Sequence, residues 1–352
     1  MKNSILVVGT GTIGEPLIGL LADFKKKLNI TEVMFHKRTP LADEVPKVKS
    51  LVKRGAKLVC NDDKVDAFRA LGHKPKYNSF DKAIAKANVV IDCTPVGNEN
   101  KEKHFKQHPD KFFIAQGSEK GFGLPYAHGI NDTALLKGND RFVQVVSCNT
   151  HNICSLIKTL SPDFERIISA DFVCIRRAND ISQDGKFIAS PQTGVHNDTT
   201  FGTHHARDAS SVLETLYQYK SLYSSAMQVN SQYMHCIRFN ITVRGSMNTP
   251  TVLNLFRENK FIALTHKTSA NKIFSFGRDH GYYGRIYNQT VIPISSVNAM
   301  QLSGTTRITG FCFTPQDGNS LLSSVAAALY GIYREEFRPY MSHFDRMLFD
   351  EI

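Results

Sequence analysis

Ten residues, VVSCNTHNIC at positions 145 to 154, put a thiol where an apolar, strand-like run gives way to a helical pattern. A cysteine becomes a useful nucleophile when a cation, a histidine or a helix N-terminus favours its thiolate. Cys148 sits at that corner between Ser147 and Asn149, so the dipole of the helix that follows is expected to favour its ionised form. Cys60, Cys93, Cys154, Cys174, Cys236 and Cys312 fall within apolar or helical runs and read as packing residues. The seven cysteines are odd in number and widely spread, with no C-x2-C pair. They make neither a disulfide framework nor a zinc site, so free thiols, no metal and a reducing, cytoplasmic compartment are expected.

A second cluster lies at the start of the chain, in VVGTGTIGEPL. Gly9, Gly11 and Gly14 have G-x-G-x-x-G spacing after a strand-like run and at the opening of a helical one. Gly9 permits a tight turn, Gly11 lets the backbone approach a pyrophosphate, and Gly14 lets helix and strand pack closely. Thr12 and Ile13 complete the turn, where a dinucleotide would face the helix N-terminus. At the end of the second strand-like run, MFHKRTP has Lys37 and Arg38 and no acid for a ribose 2′-hydroxyl. Two cations there favour the 2′-phosphate of NADP over NAD.

A pyridine nucleotide paired with a cysteine points to definite chemistry. Thiolate attack on an aldehyde gives a thiohemiacetal, loss of hydride to the nicotinamide gives a thioester, and phosphate or water opens it. Such a site needs a base and donors for the oxyanion. Thirteen histidines are available, and spacing alone does not choose among them.

These residues must be positioned by elements that change character along the chain. Up to about residue 145, strands (ILVVG, TEVMFH, AKLVC, NVVIDCTP, FFIAQG, FVQVVS) alternate with helical patterns at Glu15 to Lys27 and around Lys64 to Leu71. This is the grammar of βαβ units. A Rossmann-type doubly wound parallel sheet is therefore expected over 1–147, and a helix within 315–352, at Leu321 to Tyr333, is expected to complete it. From Cys148 a helix, NICSLIKTL, leads into longer runs, RIISADFVCIRR, QYMHCIRFNITVRG and VIPISSVNAM. They predict an α+β catalytic domain with a mixed or antiparallel sheet over 148–314.

The chain has 352 residues, 41% of them hydrophobic, with no Trp but 23 Phe and 12 Tyr. It is long enough for two cores. No apolar stretch reaches the length of a membrane span, and the N-terminus has no apolar signal segment. The net charge of +11 favours anionic partners, yet the basic residues are dispersed rather than striped with aromatics as a single-strand groove requires.

Taken together, GTGTIG, VVIDCTP, AQGSEK, VVSCNT, IRRAND, THHARD and QYMHCIRFNITV give a chain that resembles the archaeal-type, or type II, glyceraldehyde-3-phosphate dehydrogenases over most of its length, and least near its C-terminus. The resemblance implies that Cys148 is the nucleophile and that His235 activates it and handles the proton. It implies that Arg176, with His204 and His205, binds substrate or inorganic phosphate, and that Asn149 and Thr150 steady the oxyanion. Gln116, Gly117, Cys93, Thr94 and Pro95 fall at strand ends close to the cofactor, NADP or NAD, and the assembly implied is a homotetramer.

The expected activity is phosphorylating oxidation of glyceraldehyde 3-phosphate to 1,3-bisphosphoglycerate, a step of glycolysis and gluconeogenesis. A related semialdehyde dehydrogenase or acyl-phosphate reductase is the runner-up, and a non-catalytic nucleotide or nucleic-acid binder is the third reading. The chain departs from its relatives at His151 and Asn152, which add bulk and an imidazole beside the nucleophile, and at Ala206 and Arg207, where Arg207 either adds a phosphate contact or faces solvent.

Overall fold

The computed structural model describes residues 3–117, 119–138, 140–181, 185, 187–217 and 221–352. The chain forms two compact units: 1–128, 135–145 and 323–343 make the first, and 129–134, 146–322 and 344–352 the second.

In the first unit seven strands are β1 (Ser4–Val8), β2 (Glu32–His36), β3 (Lys57–Val59), β4 (Val89–Asp92), β5 (Phe112–Gln116), β6 (Leu124–Tyr126) and β7 (Phe142–Val145). Their order is β3-β2-β1-β4-β5-β7-β6, and every pair is parallel. All five residues of β1 are buried, as expected of a strand covered on both faces. The helix Gly14–Phe24 follows β1 directly. Helix Leu321–Tyr333 delivers residues from 323 onward to this unit, where Gly331 lies close against Phe112 and Val89. The helix expected around Lys64 to Leu71 is shorter, a 3-10 turn Asp62–Lys64 running into Val65–Ala70.

The second unit has a mixed sheet of β8 (Ile167–Arg176), β9 (Gln192–Thr193), β10 (Leu222–Gln228), β11 (His235–Arg244), β12 (Ile262–Thr265), β13 (Thr290–Pro293), β14 (Asn298–Leu302) and β15 (Thr305–Thr314). The order is β12-β13-β15-β11-β8-β10-β9, with β14 on β15. Burial alternates along β11, odd positions inside and even ones half-exposed, the pattern of an antiparallel sheet with one covered face. Ile237 opposes both Cys174 and Cys312, so these three share the covered face. Cys312 Sγ reaches Asn152 Oδ1 at 3.2 Å, which puts the helix Cys148–Leu160 on that face. VIPISSVNAM is two strands rather than one, broken by a 3-10 turn at Ile294–Ser296. The break follows Pro293, which has no N–H to continue a ladder.

Candidate active site

In the first unit the glycine turn is built as its spacing requires. Gly9 has φ of +92°, open to glycine at no steric cost, and its N–H donates to His36 O at 3.0 Å, tying the turn to β2. A Cβ on Gly14 would lie 2.2 Å from the Gly9 carbonyl oxygen, whereas one on Gly11 would meet nothing within 4 Å. Backbone contact thus demands glycine at 14, and open space lies over Gly11. Thr12 and Ile13 lie in the turn, and Ile13 caps the helix with no side-chain hydrogen bond.

Beside the turn is a cavity of about 340 Å³ whose wall includes Gly9, Lys37, Arg38, Thr94 and Pro95. Asp92 is buried at the end of β4, where its Oδ1 accepts from Thr94 N–H (2.8 Å) and Oγ1 (2.6 Å) and its Oδ2 from Asn100 (2.7 Å). Burial raises its carboxyl above the usual range. The two cations of MFHKRTP differ: Lys37 is buried and paired with Glu44, which also binds Lys47 at 2.6 Å, whereas Arg38 is exposed. At the end of β5, Gln116 Oε1 accepts from Ser324 at 3.1 Å. Its buried Nε2 has no partner among the described residues. Gly117, with φ of +66°, accepts from Gln144 Nε2 at 2.8 Å. The open space over Gly11, the exposed Arg38 and the unpartnered amide of Gln116 are donors and room that fit a dinucleotide.

In the second unit Cys148 is the first residue of its helix. Ser147 caps it, with Oγ accepting from Thr150 N at 3.4 Å and bonded to Thr150 Oγ1 at 2.9 Å. Thr150 is thereby turned into the cap and fully buried, while its neighbours Ser147, Cys148 and Asn149 line the cavity. His151 is also inside, its Nδ1 on Ser147 O at 2.9 Å, and Asn152 donates to Thr314 at 2.8 Å. The expected second imidazole beside the nucleophile is a packing residue.

The structure brings Cys148, Asn149, Arg176, His204, His205 and His235 to one cavity of about 300 Å³. Asn149 Oδ1 accepts from Thr314 Oγ1 at 3.2 Å, and Asn319 Nδ2 donates to the Cys148 carbonyl at 2.9 Å. The rings of His204 and His205 lie 4.0 Å apart, and His205 Nδ1 is 3.0 Å from Thr203 Oγ1. Arg176, His204 and His205 also line a second cavity of about 310 Å³. Arg207, in that second wall, is exposed and ion-paired with Asp198 at 2.9 Å, so it faces solvent rather than standing ready as an unpaired phosphate donor.

Arg177, Asp180 and Gln316, also in the wall, were not legible as site residues. Arg177 donates its backbone N–H to His235 Nδ1 at 3.0 Å and Nη2 to Asp180 at 2.9 Å. Gln316 adds a second bond to Asp180, at 2.8 Å. IRRAND was the available signal, its second arginine and its acid doing the structural bonding.

Burial, aided by Asp317 and Asp180 and opposed by Arg177, pushes the Cys148 thiol up to about 12. Burial first, then Arg177 and Arg176, push His235 down to about 3.

A parallel sheet with its glycine turn and a cysteine at a helix N-terminus in a cavity with Arg176 are the features an oxidoreductase of this kind would use, and the relatives below support that class. No protein-family model matches it. Curated relatives are informative: it is 28% identical over 317 residues to glyceraldehyde-3-phosphate dehydrogenase of Methanocaldococcus jannaschii, covering 86% of each chain. It is 28% identical over 256 residues to that of Sulfolobus acidocaldarius (70% of this chain, 71% of the relative), and 26% over 286 residues to that of Archaeoglobus fulgidus (79% of each). Over most of its length the chain is thus similar to archaeal glyceraldehyde-3-phosphate dehydrogenases. Among the described residues no helix is long and apolar enough to cross a membrane.

Proposed function

We propose that the protein oxidises glyceraldehyde 3-phosphate with inorganic phosphate to 1,3-bisphosphoglycerate, in a reducing cytoplasm and as a homotetramer. The observation that carries this reading is the single cavity joining Cys148 to Arg176, His204, His205 and His235, a nucleophile among cationic and polar donors suited to phosphate. Cys148 Sγ attacks the aldehyde carbon, and Asn149 lies beside the sulfur in the same wall. Arg176, His204 and His205 hold the phosphate groups. Phosphate then opens the thioester and returns the sulfur.

A nicotinamide nucleotide, when bound, supplies the hydride acceptor. Gly9, Gly11, Thr12, Ile13 and Gly14 would hold its pyrophosphate, with Thr94, Pro95, Gln116 and Gly117 along the strand ends. Exposed Arg38 on the cavity wall supports a preference for NADP.

A panel of phosphorylated and unphosphorylated aldehydes, assayed for reduced nucleotide with and without phosphate, tests the reading. Glyceraldehyde 3-phosphate is expected to be the best substrate and turnover to require phosphate. A better semialdehyde, or full turnover without phosphate, moves the protein to a related dehydrogenase. Cys148→Ser is expected to remove aldehyde-dependent reduction altogether, and retained activity there rules out the covalent route.

A further inference from the structure

The end of β2 has no acid in its own sequence, yet the fold brings one to it. Glu44 immediately precedes the helix Val45–Lys53, and a carboxylate so placed ordinarily accepts from the free N–H groups of its own helix. It does not cap this one. Its two oxygens go instead to two lysines: Oε2 accepts from Lys37, just past β2, and Oε1 from Lys47 at 2.6 Å. Lys47 also donates to Thr10 O at 3.3 Å, in the glycine turn, and Glu15 Oε2 lies 3.7 Å from the same ammonium. Lys37 and Thr10 both line the nucleotide cavity, as does Leu41, whose carbonyl accepts the Glu44 N–H at 3.3 Å. The carboxylate is therefore clamped beside the cavity wall, between β2 and the turn. Burial pushes its carboxyl up, but Lys37 and Lys47 together hold it below the usual range, so it stays charged at neutral pH.

We infer that Glu44 determines cofactor specificity, standing in for the missing strand-end acid and accepting from the 2′-hydroxyl of the cofactor's adenosine ribose. This rests on the nucleotide reading proposed above and deepens it. The ribose of a dinucleotide lies between the glycine turn and the end of the second strand, where an acid favours NAD by binding that hydroxyl. A 2′-phosphate has no such proton to offer at neutral pH and carries a charge of roughly −1.5 to −2, so Glu44 repels it while favouring the hydroxyl. Discrimination of this kind comes as much from the repulsive contact as from the attractive one. Lys37 is no free phosphate donor while Glu44 is bound to it. Arg38, exposed on the same wall, pulls the other way. Glu44 thus keeps NAD usable in a site whose arginine favours NADP.

Calorimetric titration with NAD and with NADP needs no aldehyde, so it stands even if the substrate assignment fails. Glu44→Gln keeps the shape of the side chain and removes its charge. In that variant the Kd for NAD divided by the Kd for NADP is expected to rise about tenfold or more, as for relief of a like-charge contact, with NAD bound more weakly and NADP more tightly. Glu44→Asp keeps the charge and should move the ratio less; an equal shift there makes shape the cause and overturns the inference. Lys47→Gln removes a cation and leaves the carboxylate, so it should lower the same ratio. A bridge that only braced the turn would weaken both nucleotides alike, so an unchanged ratio in Glu44→Gln, or shifts of one sign in Glu44→Gln and Lys47→Gln, overturns the inference. If Glu44→Gln does not fold, as judged by thermal melting, Lys47→Gln carries the test, and a rise or no change there is the overturning result. A wild type that binds neither nucleotide removes the nucleotide reading and this inference with it, whereas one that binds both, with the ratio unmoved in Glu44→Gln, removes the inference alone.

Discussion

Lys37 and Arg38 are sequence neighbours with different surroundings, and the proposed preference for NADP rests on that difference. Lys37 is buried against Glu44, which neutralises its field before any ligand arrives, while Arg38 is exposed on the cavity wall. Arg38→Ala is expected to lower the ratio of kcat/KM for NADP over NAD by about tenfold or more, the size of a lost charge-assisted phosphate contact. Lys37→Ala should move the ratio less, and an effect larger than that of Arg38→Ala would assign the 2′-phosphate contact to Lys37. Residues of this kind show how far a sequence reads. Cys148, Gly9 and Gly14 were legible because their roles depend on local order: a strand end, a turn, a helix start. Arg177, Asp180 and Gln316 were not, because what they do depends on β8, β11 and the segment before Leu321 converging. Asp317 and Asp180, which act on the Cys148 thiol, also come from distant chain.

At the scale of elements, the turn between β1 and its helix leaves little freedom. A Cβ on Gly14 meets backbone at 2.2 Å, and backbone cannot rotate away as a side chain can. Gly14→Ala is expected to cost about 1–3 kcal/mol, as overpacking does, and to weaken nucleotide binding, read by thermal melting and by titration with the dinucleotide. Ser147 holds the start of the Cys148 helix. Ser147→Ala should lower stability by about 1 kcal/mol, typical of a lost N-cap.

His36 closes β2 beneath the nucleotide cavity, with Nε2 3.2 Å from Asn61 Oδ1, and burial holds it down to about 4. The unfolded chain takes up this proton near pH 6.5 and the folded one only near 4, so the stability it contributes is full above 6.5 and is lost as pH falls through that window. On the order of 3 kcal/mol is involved. His36→Asn is expected to flatten the loss of melting temperature between those pH values, and an unchanged slope would place the acid sensitivity elsewhere. The alternation of strands and helices up to residue 145 announced the parallel sheet, and the odd–even burial of β11 was present in QYMHCIRFNITVRG. The split of VIPISSVNAM was harder to see, because both halves are apolar and only Pro293 marks the break.

Across the whole molecule the path of the chain was the least legible feature. Segments 129–134 and 344–352 belong to the second unit although their sequence neighbours belong to the first. Nothing local marks such returns; they are decided by which distant surface buries the apolar side chains. In the last segment Phe344, Met347 and Ile352 are buried, and the tail lies along β12, with Leu264 N–H donating to Asp350 O at 3.0 Å and Ile352 N–H to Leu264 O at 2.9 Å. Removing 344–352 should cost roughly 5–9 kcal/mol for three buried side chains, comparable to the stability of an ordinary domain. A truncated protein that melts within a few degrees of the full chain would show that the segment is dispensable.

The same tail sets an order of events during translation. β12 is the outer strand of its sheet, and until residues 344–352 leave the ribosome the backbone of Leu264 has no partner on that side. An uncovered strand edge invites pairing with another chain. The nascent second unit is therefore most vulnerable to misassembly in the interval before residues 344–352 are made.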